Sequence, residues 1–296
     1  MRIAFASGKG GTGKTTLAVN VAVALSSEET CYVDCDVEEP NGHLYLAPAI
    51  EEEETVTVPV PREVPGRCTG CGRCQETCQF RAILALKSCV MVFDSLCHAC
   101  GTCLIACPEE ALIEAPRPIG VMRRGRAGRV RFLEGRLNVG EARSTPLIAA
   151  VRKHEPVSGL VLADAPPGAT CPTMEAIKES DLVVLVTEPT PFGLHDLRVV
   201  VELSGALGLP VAAVVNRADL GDREVMRFCE TEGVPVLAEI PYDEELAAAG
   251  AEGWVAAARS ARARERFTRI ADAALELAAS SGRRGGARER ERGLSR

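Results

Sequence analysis

The segment RIAFASGKGGTGKTTLAVNVAVAL (residues 2–25) decides the fold. It opens with a short apolar run, crosses a loop containing four glycines, and continues as a second, longer apolar run. Strand, glycine-rich loop and helix is the context in which Gly8-x4-Gly13-Lys14-Thr15 reads as a phosphate-binding loop. Glycines let backbone N–H groups converge on phosphate oxygens, and the dipole at the start of the following helix favours the same anion. Lys14 is expected to meet the β- and γ-phosphates, and the Thr15 hydroxyl to ligate Mg²⁺. Gly8, Gly10, Gly11, Thr12, Gly13 and Thr16 complete the expected cradle.

Working outward, further apolar runs end in turn or acidic residues: CYVDCDVEEPN from Cys31, LVLADAPPGAT from Leu160, DLVVLVTEPT from Asp181 and PVAAVVNRADL from Pro210. Between the later runs lie stretches with apolar residues at helical spacing. Short buried strands alternating with helices predict an α/β fold with a doubly wound, mostly parallel sheet.

A second signal interrupts that pattern. Cys68, Cys71, Cys74 and Cys78 form C-x2-C-x2-C-x3-C, and Cys97, Cys100, Cys103 and Cys107 repeat it 29 residues later. The residues after each run also echo one another, CQFRAIL against CPEEALI, so the region reads as an internal duplication. Thirteen cysteines with no export signal point to metal binding before disulfides.

Two resemblances follow from these residues. KGGTGKT resembles the deviant Walker A loop of the MinD/ParA/Mrp and nitrogenase iron-protein superfamily, which implies that Lys9 reaches across a dimer to the partner's nucleotide. By the same resemblance Asp36 orients the attacking water, Asp34 supports the metal site, and Asp164 is the Walker B aspartate. Gly168 then senses the γ-phosphate, Asn216 contacts adenine, and IPYD from Ile240 borders the base. The cysteine runs resemble a bacterial two-cluster ferredoxin. On that pattern Cys68, Cys71, Cys74 and Cys107 bind one [4Fe-4S] cluster, and Cys97, Cys100, Cys103 and Cys78 bind the other, each fourth cysteine crossing over. Gln79 stands where the second run has Pro108, so the first run is expected to differ in its exit turn without losing a ligand.

The combined expectation is a deviant Walker A P-loop ATPase domain (residues 1–59 and 118–279) with an inserted α+β 2[4Fe-4S] ferredoxin-like domain (60–117) and a basic, disordered tail (280–296). Pro-rich, charged joins flank the insert. MgATP and two [4Fe-4S] clusters are the expected cofactors. A homodimer, or a heterodimer with a similar ATPase, and a redox or cluster-acceptor protein are the expected partners. Lys9, Lys14 and Asp36 carry the expected catalysis.

Composition narrows the alternatives. Hydrophobic residues are 46% and charged residues 25% of the 296, the balance of a globular protein. The net charge of −7 argues against a general nucleic-acid binder. No apolar run reaches the roughly 18 residues of a membrane span, and the expected location is cytoplasmic. MRRGRAGRVR from Met122 carries five arginines and reads as a solvated hairpin, with docking to an acidic redox partner as the sharper reading. Cys31, Cys35, Cys89, Cys171 and Cys229 read as packing residues, and no role is assigned to the histidines. Three functions compete. First is an ATP-gated electron carrier; second is an Mrp-like cluster-assembly ATPase, for which the second-half C-x-x-C is missing. A positioning ATPase, which has no use for clusters, comes last.

Overall fold

The computed structural model describes residues 1–27 and 29–293, with side chains as far as residue 281. β1 (Arg2–Ala6) passes through the glycine loop to α1 (Lys14–Leu25), β2 (Thr30–Asp34) and α2 (Gly42–Leu46). β3 (Ala49–Glu63) then runs out to a small lobe of α3 (Arg73–Thr77), β4 (Ile83–Ala85), β5 (Val90–Val92) and α4 (Thr102–Ile105), and β6 (Leu112–Ala127) runs back. The remainder alternates: β7 (Val130–Leu137), α5 (Thr145–Arg152), β8 (Leu160–Asp164), α6 (Cys171–Ile177), β9 (Leu182–Thr187), α7 (Pro191–Ala206) and β10 (Val211–Asn216). α8 (Glu224–Glu232), β11 (Val236–Ile240), α9 (Glu244–Glu252), α10 (Ala256–Arg259) and α11 (Ala261–Gly293) follow.

One sheet orders these strands β11-β10-β9-β1-β8-β2-β7-β6-β3. The seven from β11 to β7 are parallel, and β6 and β3 join antiparallel at the β7 edge. Alternation along each strand feeds two cores. Ile3, Phe5, Tyr32, Leu162 and Val184 face α1, α10 and α11. Ala4, Ala6, Val33, Ala163 and Leu185 face α5, α6, α7 and α8. α11 buries Ala263, Phe267, Ile270, Ala271, Ala274 and Ala278, a three-and-four spacing that makes one apolar stripe. Both faces are covered, as a parallel sheet requires.

The segments expected to be Pro-rich, charged joins form a paired ribbon, β3 against β6, from Ala49↔Arg126 to Glu63↔Leu112, with irregularities between Ile50 and Glu52 and between Val56 and Thr57. Proline is tolerated here for a physical reason. β3 is an edge strand, and β6 pairs with β7 only from Gly120 onward, so Pro59, Pro61, Pro116 and Pro118 lie where one strand side has no ladder to serve. The arginines from Arg123 to Arg126 lie opposite the acidic run Glu51–Glu54. Arg123 pairs with Glu53 at 2.7 Å, Arg126 with Glu51 at 4.0 Å, and Arg124 with Glu52. They form a hairpin, as expected, but these three arginines are already partnered within the chain.

The exit turns of the two cysteine runs also differ from expectation, because they match. Arg81 N–H donates to Cys78 O at 3.2 Å and Glu110 N–H to Cys107 O at 3.3 Å, with positive φ at both Arg81 and Glu110. The turn uses donors three and four residues past the cysteine, so proline or glutamine directly after it makes no difference. α11 continues to Gly293, through most of the tail expected to be disordered; the last three residues of that expectation lie outside the described ones. Among the described residues no helix is long and apolar enough to cross a membrane.

Candidate functional site

The carboxyl ends of β1, β2 and β8 meet at the glycine loop. Asp34 and Asp164 are register partners on adjacent strands, both fully buried. Asp164 accepts from Lys14 Nζ at 2.5 Å, from Thr15 Oγ1 at 2.6 Å and from the buried Tyr32 hydroxyl at 3.2 Å. Asp34 instead accepts backbone N–H groups, from Asp36 at 3.1 Å and Gly42 at 2.9 Å, which pins the segment leading into α2. Burial alone would lower the Lys14 pKa, but the Asp164 charge and hydrogen bond outweigh it and the ammonium is held above its ordinary value. Burial and the Asp164 charge push Asp34 well above the usual carboxylate range. Burial, with Asp164 adding and Lys14 opposing, brings Asp36 to about 6.

Above these groups opens a cleft of about 410 Å³. Gly10, Gly11, Gly13, Lys14, Thr15 and Thr16 line its floor, and Asp36 lines it beside Glu39 and Asn41. Asn216 and the run Ile240–Asp243 form the far wall with Leu246 and Phe267. Asn216 is tied to the loop, its Nδ2 donating to Thr12 O at 2.8 Å. Two glycines are structurally required. Gly13 sits at φ 91°, and a Cβ there would come within 2.5 Å of Asn216 Nδ2; a Cβ at Gly8 would meet the Asp196 backbone at 2.8 Å.

Not every expected residue lines the cleft. Gly8, Lys9 and Thr12 border a small neighbouring cavity under α7. Lys9 Nζ is paired at 3.1 Å with Glu188, which Arg217 also grips. Gly168 N–H donates to Ser7 O at 2.8 Å, so in this conformation it serves the loop backbone and not a phosphate. Tyr32, Glu188 and Arg217 escaped the sequence reading. The one available signal was Glu188 at the end of an apolar strand, the position that made Asp164 a candidate.

None of the lobe cysteines forms a disulfide. Cys68, Cys71, Cys74 and Cys107 line one cavity with Val90 and Leu112. Cys78, Cys97, Cys100 and Cys103 line a second with Phe80, Ala82 and His98. Phe80 and His98 stack there with ring centroids 3.7 Å apart. Burial raises Cys74 and pushes Cys103 up to about 11, whereas the Thr102 hydroxyl holds Cys100 below its ordinary value. Among the described residues no three His, Cys, Asp or Glu side chains converge closely enough to hold a single metal ion. Cys171 is exposed at the start of α6, remote in sequence from both runs.

Residues 3–254 match the family model of the CobQ/CobB/MinD/ParA nucleotide binding domain. An uncharacterized protein of Methanocaldococcus jannaschii is 30% identical over 225 residues, covering 75% of this chain and 80% of its own. An uncharacterized ATP-binding protein of the same organism is 26% identical over 259 residues, covering 85% and 78%. The septum site-determining protein MinD of Pyrococcus horikoshii, complexed with Mg-ADP, shares the fold with a TM-score of 0.57 at 21% identity, covering 95% of this chain and 98% of its own.

Proposed function

The chain belongs to the CobQ/CobB/MinD/ParA nucleotide-binding family, and on that premise we propose that it hydrolyses MgATP in the cleft and couples nucleotide state to electron transfer through two [4Fe-4S] clusters in an inserted ferredoxin-like lobe. The observation that carries the second half is the pair of four-cysteine cavities. Each takes three cysteines from one run and the fourth from the other, the exchange expected of a two-cluster ligand set. A four-iron cube is wider than one ion, so an open cavity ringed by thiols fits it where a tight ligand knot would not. Each bound cluster supplies one-electron transfer at low potential.

In the cleft, Lys14 would exchange Asp164 for the β- and γ-phosphates, and Thr15 and Asp164 are the oxygen donors that would hold Mg²⁺, whose charge would help neutralise the phosphates. Asp34 holds the first switch by accepting from the backbone N–H groups of Asp36 and Gly42, and Asp36 orients the water. A dimer brings Lys9 to the partner's nucleotide once its pair with Glu188 opens. The two halves of the molecule meet through α5. At its C-terminal end Arg152 donates to Glu175 O at 2.9 Å on α6 and to Lys178 O at 3.0 Å just past it, and α6 follows the Asp164–Gly168 segment. Just ahead of α5, Arg143 donates to the carbonyl of Cys97. A change in the segment after Asp164 on loss of γ-phosphate therefore has a packed route to the lobe.

The test is a potentiometric titration of anaerobically isolated protein without nucleotide, with MgADP and with a non-hydrolysable ATP analogue, alongside electron-transfer rates to a low-potential acceptor. About eight iron atoms per chain are expected, two four-iron clusters, with potentials or rates that differ between the nucleotide states. Identical potentials and rates make the lobe a passenger. A cluster-assembly role, favoured by the exposure of Cys71 and Cys100, then takes first place, and transfer of clusters to an apo-ferredoxin distinguishes it.

A further inference from the structure

The two cysteine sets repeat one another in sequence but not in surroundings. Cys78, Ala82, Cys97 and Ala99 belong to or pack on the large core beneath the sheet, so the set Cys78, Cys97, Cys100 and Cys103 is the inner one. The small core of Cys74, Ile83 and Leu112 is shared, with Cys78 and Cys103 packing on it as well as Cys107. Cys68, Cys71, Cys74 and Cys107 make the outer set because none of them reaches the large core.

A largely buried cation and a hydroxyl donor to sulfur stand at the inner set, whereas the cations of the first run, Arg67 and Arg73, are more exposed to solvent. Arg143, with its side chain 12% exposed, donates from Nη1 to the carbonyl of Cys97. It is held at 3.1 Å by the buried Glu141, which also binds Arg117 at 2.6 Å, so two guanidinium groups face one carboxylate. Arg143 Nη2 is buried without a hydrogen-bond partner. Cys100 Sγ accepts from the Thr102 hydroxyl at 3.3 Å and Cys78 Sγ from Ala82 N–H at 3.3 Å. In the outer set Ala111 N–H donates to Cys107 Sγ at 3.3 Å and backbone donors at Cys74 and Gln75 reach Cys74, but among the described residues no side-chain hydroxyl donates to a sulfur there. The residue in the first run that corresponds to Thr102 is Arg73, which carries no hydroxyl. Opposing charges at the inner set are weak. Glu114 approaches Gly101 but is exposed to water, and Asp94 is neutralised by Arg62.

We infer that Arg143 and Thr102 make the two cluster sites electronically unequal, giving the inner set the higher reduction potential. Reduction adds one negative charge, which a buried cation and donors to sulfur stabilise. An electron supplied by an external low-potential one-electron donor to the outer cluster then passes inward, reoxidising the outer cluster and reducing the inner one. The electron comes to rest beside the ATPase body. This inference rests on the iron–sulfur reading proposed above.

The experiment titrates the whole, anaerobically loaded protein with a titanium(III) reductant under electron paramagnetic resonance, with Cys100→Ser identifying the inner signal. The inner set is expected to reduce first. Arg143→Gln should lower its potential by about tenfold in the reduction equilibrium, about 59 mV for one electron, and leave the outer set unmoved; Arg143→Lys should keep it. Thr102→Val should shift the inner set in the same direction by less, and it tests the inference even if Arg143→Gln fails to fold. Reduction of the outer set first, or variants that move both sets equally or neither, overturns the inference while the cluster reading stands. A wild-type protein that takes up no iron overturns the cluster reading itself and the inference with it.

Discussion

Lys14, Thr15, Tyr32 and Asp164 hold one another at the end of a sheet whose central strands, β1, β2, β8 and β9, are buried along their length, so the fold of the body sets the shape of the cleft. In the lobe the relation is reversed. Its own small core has three buried residues, Cys74, Ile83 and Leu112, and one of them is a cysteine. Phe80, Leu84, Leu86, Met91, Phe93, Leu96 and Ile105 are exposed around it. The same chain thus contains a site made by a fold and, on the reading proposed above, a fold that depends on its site. The difference teaches where each region's stability comes from: apolar burial on two sheet faces in one, and the proposed cluster bonds in the other.

The strongest way to break that comparison is to remove the clusters. A lobe of about fifty residues is short enough that metal bonds normally supply part of its folding energy, on the order of 10 kcal/mol for structural zinc. Chelation under oxidising conditions should abolish hydrogen-exchange protection across residues 64–111 and leave β1, β8 and β9 protected. Loss of protection in both regions together would mean that the body, too, is held by the lobe.

Next in size are the two loop lysines, which sharpen the comparison from the other side. Lys14→Ala should weaken nucleotide binding and turnover together, because it removes the buried cation that answers the phosphates. Lys9→Ala should leave binding within a few-fold and lower turnover by about 10³, the range of a trans-acting cation at phosphoryl transfer. Neither change should alter iron content. Wild-type turnover in Lys9→Ala would reduce Lys9 to its ion pair with Glu188.

How far the sequence foretold each region depends on the distance over which its interactions act. The glycine loop and the cysteine runs are local patterns, and the structure brings most of the loop to the cleft and groups the cysteines in two cavities. Asp164 was legible because a buried apolar strand that ends in an acid rarely does so without purpose. Tyr32 was not, since a tyrosine in an apolar run reads as packing until the carboxylate across the strand is known. The ribbon was the clearest miss. Glu53 and Arg123 are 70 residues apart, and each run read alone looks like a solvated, proline-broken segment. Only the pairing of two edges makes them strands. Lys9 was expected across a subunit boundary, and its pairing with Glu188 depends on the β9–α7 turn, which no local pattern encodes.

The smallest expected effect concerns the join between the two regions. Glu51, Glu52 and Glu53 are 58%, 62% and 51% exposed where they meet Arg126, Arg124 and Arg123. Exposed pairs of this kind contribute about 0.2–1 kcal/mol each and are screened by salt. The backbone ladder beneath them runs the length of β3 and is independent of charge. Glu134, fully buried beneath Arg123 at 3.3 Å, still holds that arginine if Glu53 is lost. Replacing all three glutamates by glutamine should therefore lower the melting temperature by only a few degrees, at about 2–4 °C per kcal/mol for a chain of this size or somewhat smaller. The loss should shrink further in 1 M salt, where the Debye length is about 3 Å. Iron content and nucleotide binding should not change. A triple variant that failed to assemble its lobe would show the join to be electrostatic, with the arginines orienting the lobe on the body. Persistence of both sites would show that pairing of the strands carries the connection, leaving α5 and Arg143 as the contacts through which one region acts on the other.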